Sequence, residues 1–443
     1  MGRRARGGAL STWPETRARA LYSALLWLLQ PAYALRLWWR GRAEPLYRAC
    51  LGERFGRYAE PPSAGWIWLH AVSLGETRAA AALVDALRAE HPAMRLLLTH
   101  GTATGREAGQ ALLRDGDRQT WLPYDTPGAT RRFIAQFRPA LGVLMETEIW
   151  PNLLLAAQAG GVPMVLANAR LSEKSLRRGQ RFNAVLRPAI DSVALVLAQT
   201  DDDAQRIRAA GAHAVEVCGN LKYDLTPDLA QLTRGAAWRA RLNRDVVLAA
   251  ITREGEEAPL LAAWQRAPHG DTLLMIVPRH PQRFDEVAAL VRGAGLTLAR
   301  RSTWTDAPPD DALHAQVWLG DSMREMALYY AAADVALLGG SFAPLGGHNL
   351  IEAAACGCPL VMGPSTFNFS EAAELSLAAG ASLRVADMDE GVALAAALLE
   401  EPVQLEALSA HALEFASRHR GAAARMARRM LPLVTGAGLS LRA

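Results

Sequence analysis

Beyond residue 60 the chain alternates short apolar runs with helical stretches rich in Ala, Leu and Arg, and it does so in two consecutive sets. The first set places candidate strands at 66–70, 94–99, 119–122, 140–146, 163–167 and 193–199. A polar, proline-containing stretch at 224–240 interrupts the rhythm, which restarts with candidates at 245–251, 271–277, 295–299, 314–319, 334–338 and 358–362. Strand–helix alternation demands parallel sheets with right-handed crossovers. Two such sets predict an α/β chain with two doubly wound, Rossmann-like domains facing each other. The length of 443 residues agrees, since it exceeds what one ordinary core organises. The expected limits are a basic N-terminal anchor at 1–45, a first domain at 46–230 and a second at 231–443.

Charge is distributed unevenly. Residues 1–60 hold eleven Arg and four Glu, a balance of +7, so with +4 overall the remainder carries 4 − 7 = −3. Within this basic end, ALYSALLWLL (20–29) has no charge, Arg17 and Arg19 precede it, and Trp38, Trp39, Arg40 and Arg42 follow. A full membrane span needs ~20 apolar residues, and Gln30, Pro31 and Arg36 break this one. No small-residue cleavage site marks a secretory signal. The pattern predicts a membrane-anchoring helix, either a marginal span or a Pro-kinked helix lying in the interface. The competing reading is an apolar helix docked on the protein's own core. A charge excess confined to one end, with no aromatic-plus-basic motif elsewhere, argues against nucleic acid. Four scattered cysteines form neither a disulfide framework nor a zinc site.

In doubly wound sheets ligands bind beyond the carboxyl ends of the strands, which selects the polar clusters that matter. The first is Ser73-Leu74-Gly75-Glu76, where an acid opens a helix; as a mere helix start it contributes about 0.3–1 kcal/mol. There the local dipole is expected to keep Glu76 ionised, with a low pKa. Glu146-Thr147-Glu148 follows the apolar run ALGVLM, and in an extended chain its two acids point to opposite sides. Lys222, in GNLKYD, either faces the cleft to stabilise developing negative charge or is a solvated turn residue. In the second half, Pro278-Arg279-His280-Pro281 presents an Arg between two prolines at a strand end, suited to phosphate or carboxylate. GDSMRE (320–325) follows another strand. GGSFAPLGGHNLIEA (339–353) joins a strand to an Ala-rich helix through two glycine pairs. Glycines let backbone N–H groups approach an anion, and this loop lacks the spacing and Lys of a P-loop. It therefore reads as a nucleotide-phosphate cradle, with Glu352 placed for ribose hydroxyls. Asp201-Asp202-Asp203 reads as a helix-start acid run rather than a metal motif.

HAVSLGET, LMETEIWPNLL, LANARLSEKS, GNLKYD, VPRHPQRF, GDSMRE and GGSFAPLGGHNLIEAAACGCPLVMGPSTFNF together resemble the 3-deoxy-D-manno-octulosonic acid (Kdo) transferases, from about residue 20 to about residue 420. The resemblance implies a GT-B glycosyltransferase fold and transfer of Kdo from CMP-Kdo to the lipid A precursor. The expected place is the cytoplasmic face of the inner membrane, among its lipids. It further implies Glu76 as general base, with Glu146 and Lys222 stabilising the transition state. CMP contacts fall on Pro278 and Arg279, on Met323, Arg324 and Glu325, and on Asn349, Leu350, Ile351 and Glu352. Two positions depart from the family pattern: Arg253 stands where His is common, and Arg324 where a small residue is. The expected reaction is inverting and uses neither metal nor cofactor. The alternatives are another GT-B sugar-nucleotide transferase, a nucleotide-sugar epimerase, or a non-catalytic membrane-bound nucleotide-binding protein.

Overall fold

The computed structural model describes residues 13–439 and divides into two compact units. One takes in the residues up to Asp224 and those from Gly421 onward; the other runs from Leu225 to Arg420. The first unit is built on seven parallel strands: β1 (Trp66–His70), β2 (Arg95–His100), β3 (Arg118–Trp121), β4 (Leu141–Met145), β5 (Met164–Ala169), β6 (Leu195–Ala198) and β7 (Val215–Val217). Their order is β3-β2-β1-β4-β5-β6-β7. Successive residues of β1 enter opposite cores. Trp66 and Trp68 pack with Phe133, Leu144 and Leu166, and Ile67 and Leu69 pack with Leu83, Leu87 and Leu98. A strand buried on both faces needs an apolar side chain at every position, which is why these runs do not alternate. Flanking helices include α1 (Trp13–Arg40), α2 (Leu74–Glu90), α3 (Pro151–Ala159) and α4 (Glu173–Gln180).

The second unit repeats the plan with β8 (Val246–Thr252), β9 (Leu273–Pro278), β10 (Leu298–Arg300), β11 (Val317–Leu319), β12 (Val335–Leu338), β13 (Leu360–Met362) and β14 (Ser382–Arg384). All pair in parallel, in the order β10-β11-β9-β8-β12-β13-β14. The short helix α5 (Leu350–Ala355) leaves the loop after β12. In both sheets the chain first fills one side of its first strand, with β11 inserted between β9 and β10 in the second, and then crosses to the other side. The switch points lie at β1/β4 and at β8/β12.

Two edge strands, β7 and β14, were not expected from the sequence. Each has three residues and carries a charged side chain, so no apolar run marks it. The division between units also differs from the expected one. The stretch 224–240 is not a linker throughout: Leu229–Leu242 is a helix of the second unit, and the units part at Asp224/Leu225 rather than at 230/231. The last helix, α6 (Ala422–Leu439), belongs to the first unit although 231–443 was expected to form the second. Met426 and Met430 explain this, because both are fully buried in the same core as Leu83 and Leu87 of α2. Asp224 holds the start of α6 by accepting N–H bonds from Gly421 and Ala423. Each buried Met contributes roughly 1.5–3 kcal/mol over leaving it in water.

α1 is docked along one side only. Tyr22 donates to Asp125 Oδ2 at 2.9 Å, Ser23 donates to Asn152 Oδ1 at 3.3 Å, and Tyr33 stacks on Tyr124 with centroids 5.6 Å apart. Its other side leaves Leu21, Leu25, Trp27, Leu28, Leu35, Trp38 and Trp39 exposed. No helix among the described residues is long and apolar enough to cross a membrane. The basic residues Arg3, Arg4 and Arg6 of the expected anchor lie outside the described residues.

Candidate active-site residues

At the first switch point, β1 ends at His70 and the chain turns into α2 through Ser73, whose hydroxyl caps the helix by accepting the Glu76 N–H at 3.4 Å. Glu76 answers reciprocally. Its carboxylate accepts the Ser73 hydroxyl at 2.9 Å and the Val72 N–H at 2.8 Å. This capping box fixes the side chain, half-buried, at the carboxyl edge of the sheet. Burial pushes the Glu76 carboxyl above the usual range, the Val72 and Ser73 hydrogen bonds oppose this, and the charge of Glu146 reinforces it. The expected low pKa is therefore corrected: desolvation outweighs the helix terminus.

Glu146 follows β4 in left-handed backbone, with φ of 58°, a conformation that costs a non-glycine residue of order 1–3 kcal/mol. Its N–H is held by the Ala167 carbonyl at 2.8 Å. The turn overturns the extended-chain expectation that the two acids diverge, because Glu146 raises the Glu76 carboxyl and Glu76 in turn raises that of Glu148. Burial first, then the charge of Glu76, raises Glu148 to about 7. Lys222 sits in a short turn, Leu221–Asp224, that packs against α2. The turn is anchored by Leu221 N–H on Asn168 Oδ1 at 3.0 Å, and Asn168 is the next-to-last residue of β5. The turn thus joins the same sheet edge as the three glutamates. Asp201-Asp202-Asp203 opens a helix behind Thr200, and the buried Asp203 holds the Leu171 N–H at 2.9 Å.

At the second switch point the glycine-rich loop does something the sequence did not predict. Gly339 lies so close to β8 that a Cβ would meet the Ile251 carbonyl oxygen at 2.3 Å. The loop N–H groups then turn to a protein carboxylate. Glu256, 2% exposed, accepts from Gly340 at 2.7 Å, Phe342 at 3.1 Å and Ala343 at 3.3 Å, and from Arg253 at 2.9 Å. Gly346 donates to Ser365 Oγ and Gly347 to the Gly340 carbonyl. The expectation of an open cradle of amides over 339–347 is thus corrected: Glu256 already fills it. What faces the loop's far end is cationic. Burial first, then Arg279, Arg253 and His280, pull His348 down to about 4, so its imidazole is neutral. Its Nε2 is buried without a hydrogen-bond partner among the described residues.

Pro278 closes β9, and the Arg279 N–H is fixed on the Thr252 carbonyl at 2.9 Å, bringing the ends of β8 and β9 together. Asn349 caps α5 through Ile351 N–H at 3.2 Å, and Leu350 and Ile351 are buried in front of Glu352. Met323 is half exposed, and Arg324 has φ of 65°. Glu325 is held below the usual carboxylate range: burial would raise it, but Ser322, Arg301 and Arg234 lower it, with ion pairs of 3.0 Å to Arg301 and 2.7 Å to Arg234.

Residues 49–225 match the family described as 3-Deoxy-D-manno-octulosonic-acid transferase (kdotransferase). A 3-deoxy-D-manno-octulosonic acid transferase of Bordetella pertussis is 48% identical over 421 residues, covering 92% of this chain and 97% of that protein. The protein of the same name from Haemophilus influenzae is 34% identical over 418 residues, again 92% and 97%. The chain belongs to the Kdo transferase family. It is a glycosyltransferase, which sets aside the epimerase and the non-catalytic readings. A solved glycosyltransferase from Rickettsia africae superposes with a TM-score of 0.55 at 12% identity, covering 84% of this chain and 98% of that one, a likeness of fold.

In this Kdo transferase family member, Glu76, Glu146 and Lys222 gather at one sheet edge of the first unit. Pro278, Arg279 and the 349–352 segment gather at the switch point of the second. Met323, Arg324 and Glu325 follow β11, a neighbour of β9. Sequence reasoning missed three residues. Glu148 was visible as the second acid of the ETE run, His348 as the polar residue inside the glycine stretch, and Glu256 only as one of three acids in REGEE.

Proposed function

We propose that this glycosyltransferase moves Kdo from CMP-Kdo to a hydroxyl of the lipid A precursor, with inversion and without a metal ion. The observation that carries the base assignment is the placement of Glu76: capped, half-buried and raised in pKa at the β1/β4 switch point. A carboxylate with a raised pKa is a stronger base. Glu76 takes the proton of the attacking hydroxyl as its oxygen bonds the anomeric carbon of Kdo. The bond from that carbon to the CMP phosphate breaks, and its electron pair leaves with the phosphate. Arg279, Arg253 and the neutral His348, with the Asn349–Glu352 segment, hold the nucleotide and receive that charge. Glu146 and Lys222 flank the reacting groups in the first unit, which takes the acceptor; the second unit takes the donor.

The reaction belongs at the cytoplasmic face of the inner membrane. Support comes from the exposed apolar side of α1, whose Trp27, Trp38 and Trp39 suit an interfacial helix lying on the bilayer. The test is incubation with lipid A precursor and CMP-Kdo or UDP-sugars, with mass spectrometry of the lipid. The expected product carries Kdo and forms undiminished in EDTA. Transfer from UDP-sugars alone, or reversible arrest by EDTA, overturns the reading.

A further inference from the structure

The loop leaving β5 leads into α4 with the sequence SEKSLRRGQRF (172–182). Lys174 and Arg178 are four places apart, as are Glu173, Arg177 and Arg181, so all five project from one side of the helix. They line a solvent-open concavity of about 440 Å³. Arg177 is paired with Glu173, while Lys174, Arg178 and Arg181 have no acidic partner among the described residues. The four cations against one acid leave the concavity at 4 − 1 = +3. Phe182 follows directly and is 60% exposed.

This cluster is not remote from the glutamates. The Thr147 hydroxyl, between Glu146 and Glu148, donates to the Arg170 carbonyl, three residues before α4 begins. At ~1.5 Å per residue, α4 carries its cations roughly 1.5–12 Å along its axis from that start. The cations therefore start from the same strand-end segment that carries Glu146, whose charge reaches Glu76, a placement for a second group on the molecule whose hydroxyl lies at Glu76. Three unpaired long cations beside an exposed aromatic ring match a phosphate monoester on a lipid, because guanidinium forks bind phosphate oxygens in pairs.

Resting on the proposed acceptor, we infer that Lys174, Arg178 and Arg181 form the subsite for a phosphate group of the acceptor lipid, with Phe182 against its apolar part. The subsite sets acceptor affinity and leaves donor binding to the other unit. The test is the triple variant Lys174→Ala/Arg178→Ala/Arg181→Ala, whose side chains are exposed and support no packing. Transfer is measured in neutral-detergent micelles with the lipid A precursor and with the same lipid after phosphatase treatment. The expected result is an acceptor KM raised at least about tenfold for the phosphorylated lipid, with kcat and donor KM unchanged and no change for the dephosphorylated lipid. An unchanged KM, an equal rise with both lipids, or an effect seen only on vesicles of anionic phospholipid overturns the inference; the last would assign these cations to the bulk bilayer surface. Should the wild type transfer Kdo to neither lipid, the functional reading falls separately. Micelle co-sedimentation then decides the subsite: phosphorylated lipid retained by the wild type and lost by the variant upholds it, and equal retention overturns it.

Discussion

The two sheets share seven parallel strands and a switch point beside their first strand, yet the side chains gathered there are arranged in opposite ways. In the second unit Glu256 accepts N–H bonds from the loops leaving both β8 and β12, so one carboxylate ties the two sides of the switch point together. In the first unit the start of α2 carries Glu76 and the segment leaving β4 carries Glu146 and Glu148, whose like charges push against that of Glu76. A carboxylate whose lone pairs are filled by backbone amides is structural. One facing other carboxylates, with lone pairs to spare, is poised to take a proton.

The contrast can be broken first at Glu76. Glu76→Ala should lower kcat by about 10²–10⁴-fold while CMP binding, measured by calorimetry, stays unchanged. Near-normal turnover would reduce Glu76 to a helix-start acid. Next in size, Glu256→Ala strands several buried amides and should destabilise the second unit by about 3 kcal/mol, weakening CMP binding at the same time. Thermal unfolding with and without CMP reads both effects, and an unaltered midpoint would show the loop holds itself.

Glu148→Gln sharpens the electrostatic half. Its folded pKa of about 7 lies above the ordinary 4.5, so the folded protein binds the extra proton and loses stability as pH rises through 7. The variant should therefore be more stable than wild type by about 3 kcal/mol at pH 8, a gap that opens as pH rises from about 4.5 to about 7 and vanishes at about pH 3.5. The charge that raises Glu76 is that of Glu146, so Glu146→Gln should ease ionisation of Glu76 and move the acid limb of the kcat profile to lower pH by about half a unit. A limb that stays in place would uncouple the two acids. The smallest effect belongs to Arg324→Gly, which relieves a left-handed φ and should add about 1 kcal/mol of stability by urea titration.

The sequence made the strands of both cores legible because burial on two faces leaves uninterrupted apolar runs such as WIWL and LGVLM. It hid β7 and β14, where three residues at a sheet edge need no such run. Family motifs led to Glu76, Glu146, Lys222 and the nucleotide segments, and Ser73-x-x-Glu76 was a readable capping signal. The glycine loop was misread for a different reason. Glycines at 339, 340, 346 and 347 advertise free amides, but the carboxylate that takes those of Gly340, Phe342 and Ala343 lies 84 to 87 residues earlier, a separation no local pattern encodes. The fates of Glu146 and Glu148 likewise turn on one positive φ, which an ETE tripeptide does not announce. Arg324 is the converse case: the resemblance implies a small residue there, and the position has left-handed backbone.

The return of α6 to the first unit has a consequence for synthesis of the chain. The second unit, residues 225–420, is inserted into the sequence of the first, so 420 − 224 = 196 residues must emerge before Met426 and Met430 reach their places. At ~5–20 residues per second, that interval is roughly 10–40 s. Throughout it, Leu83 and Leu87 of a nascent chain lack their last neighbours, and the sheet they cover is held by an incomplete core. The ribosome thus releases a first unit that is sealed last, and any truncation that removes α6 leaves it unsealed for good.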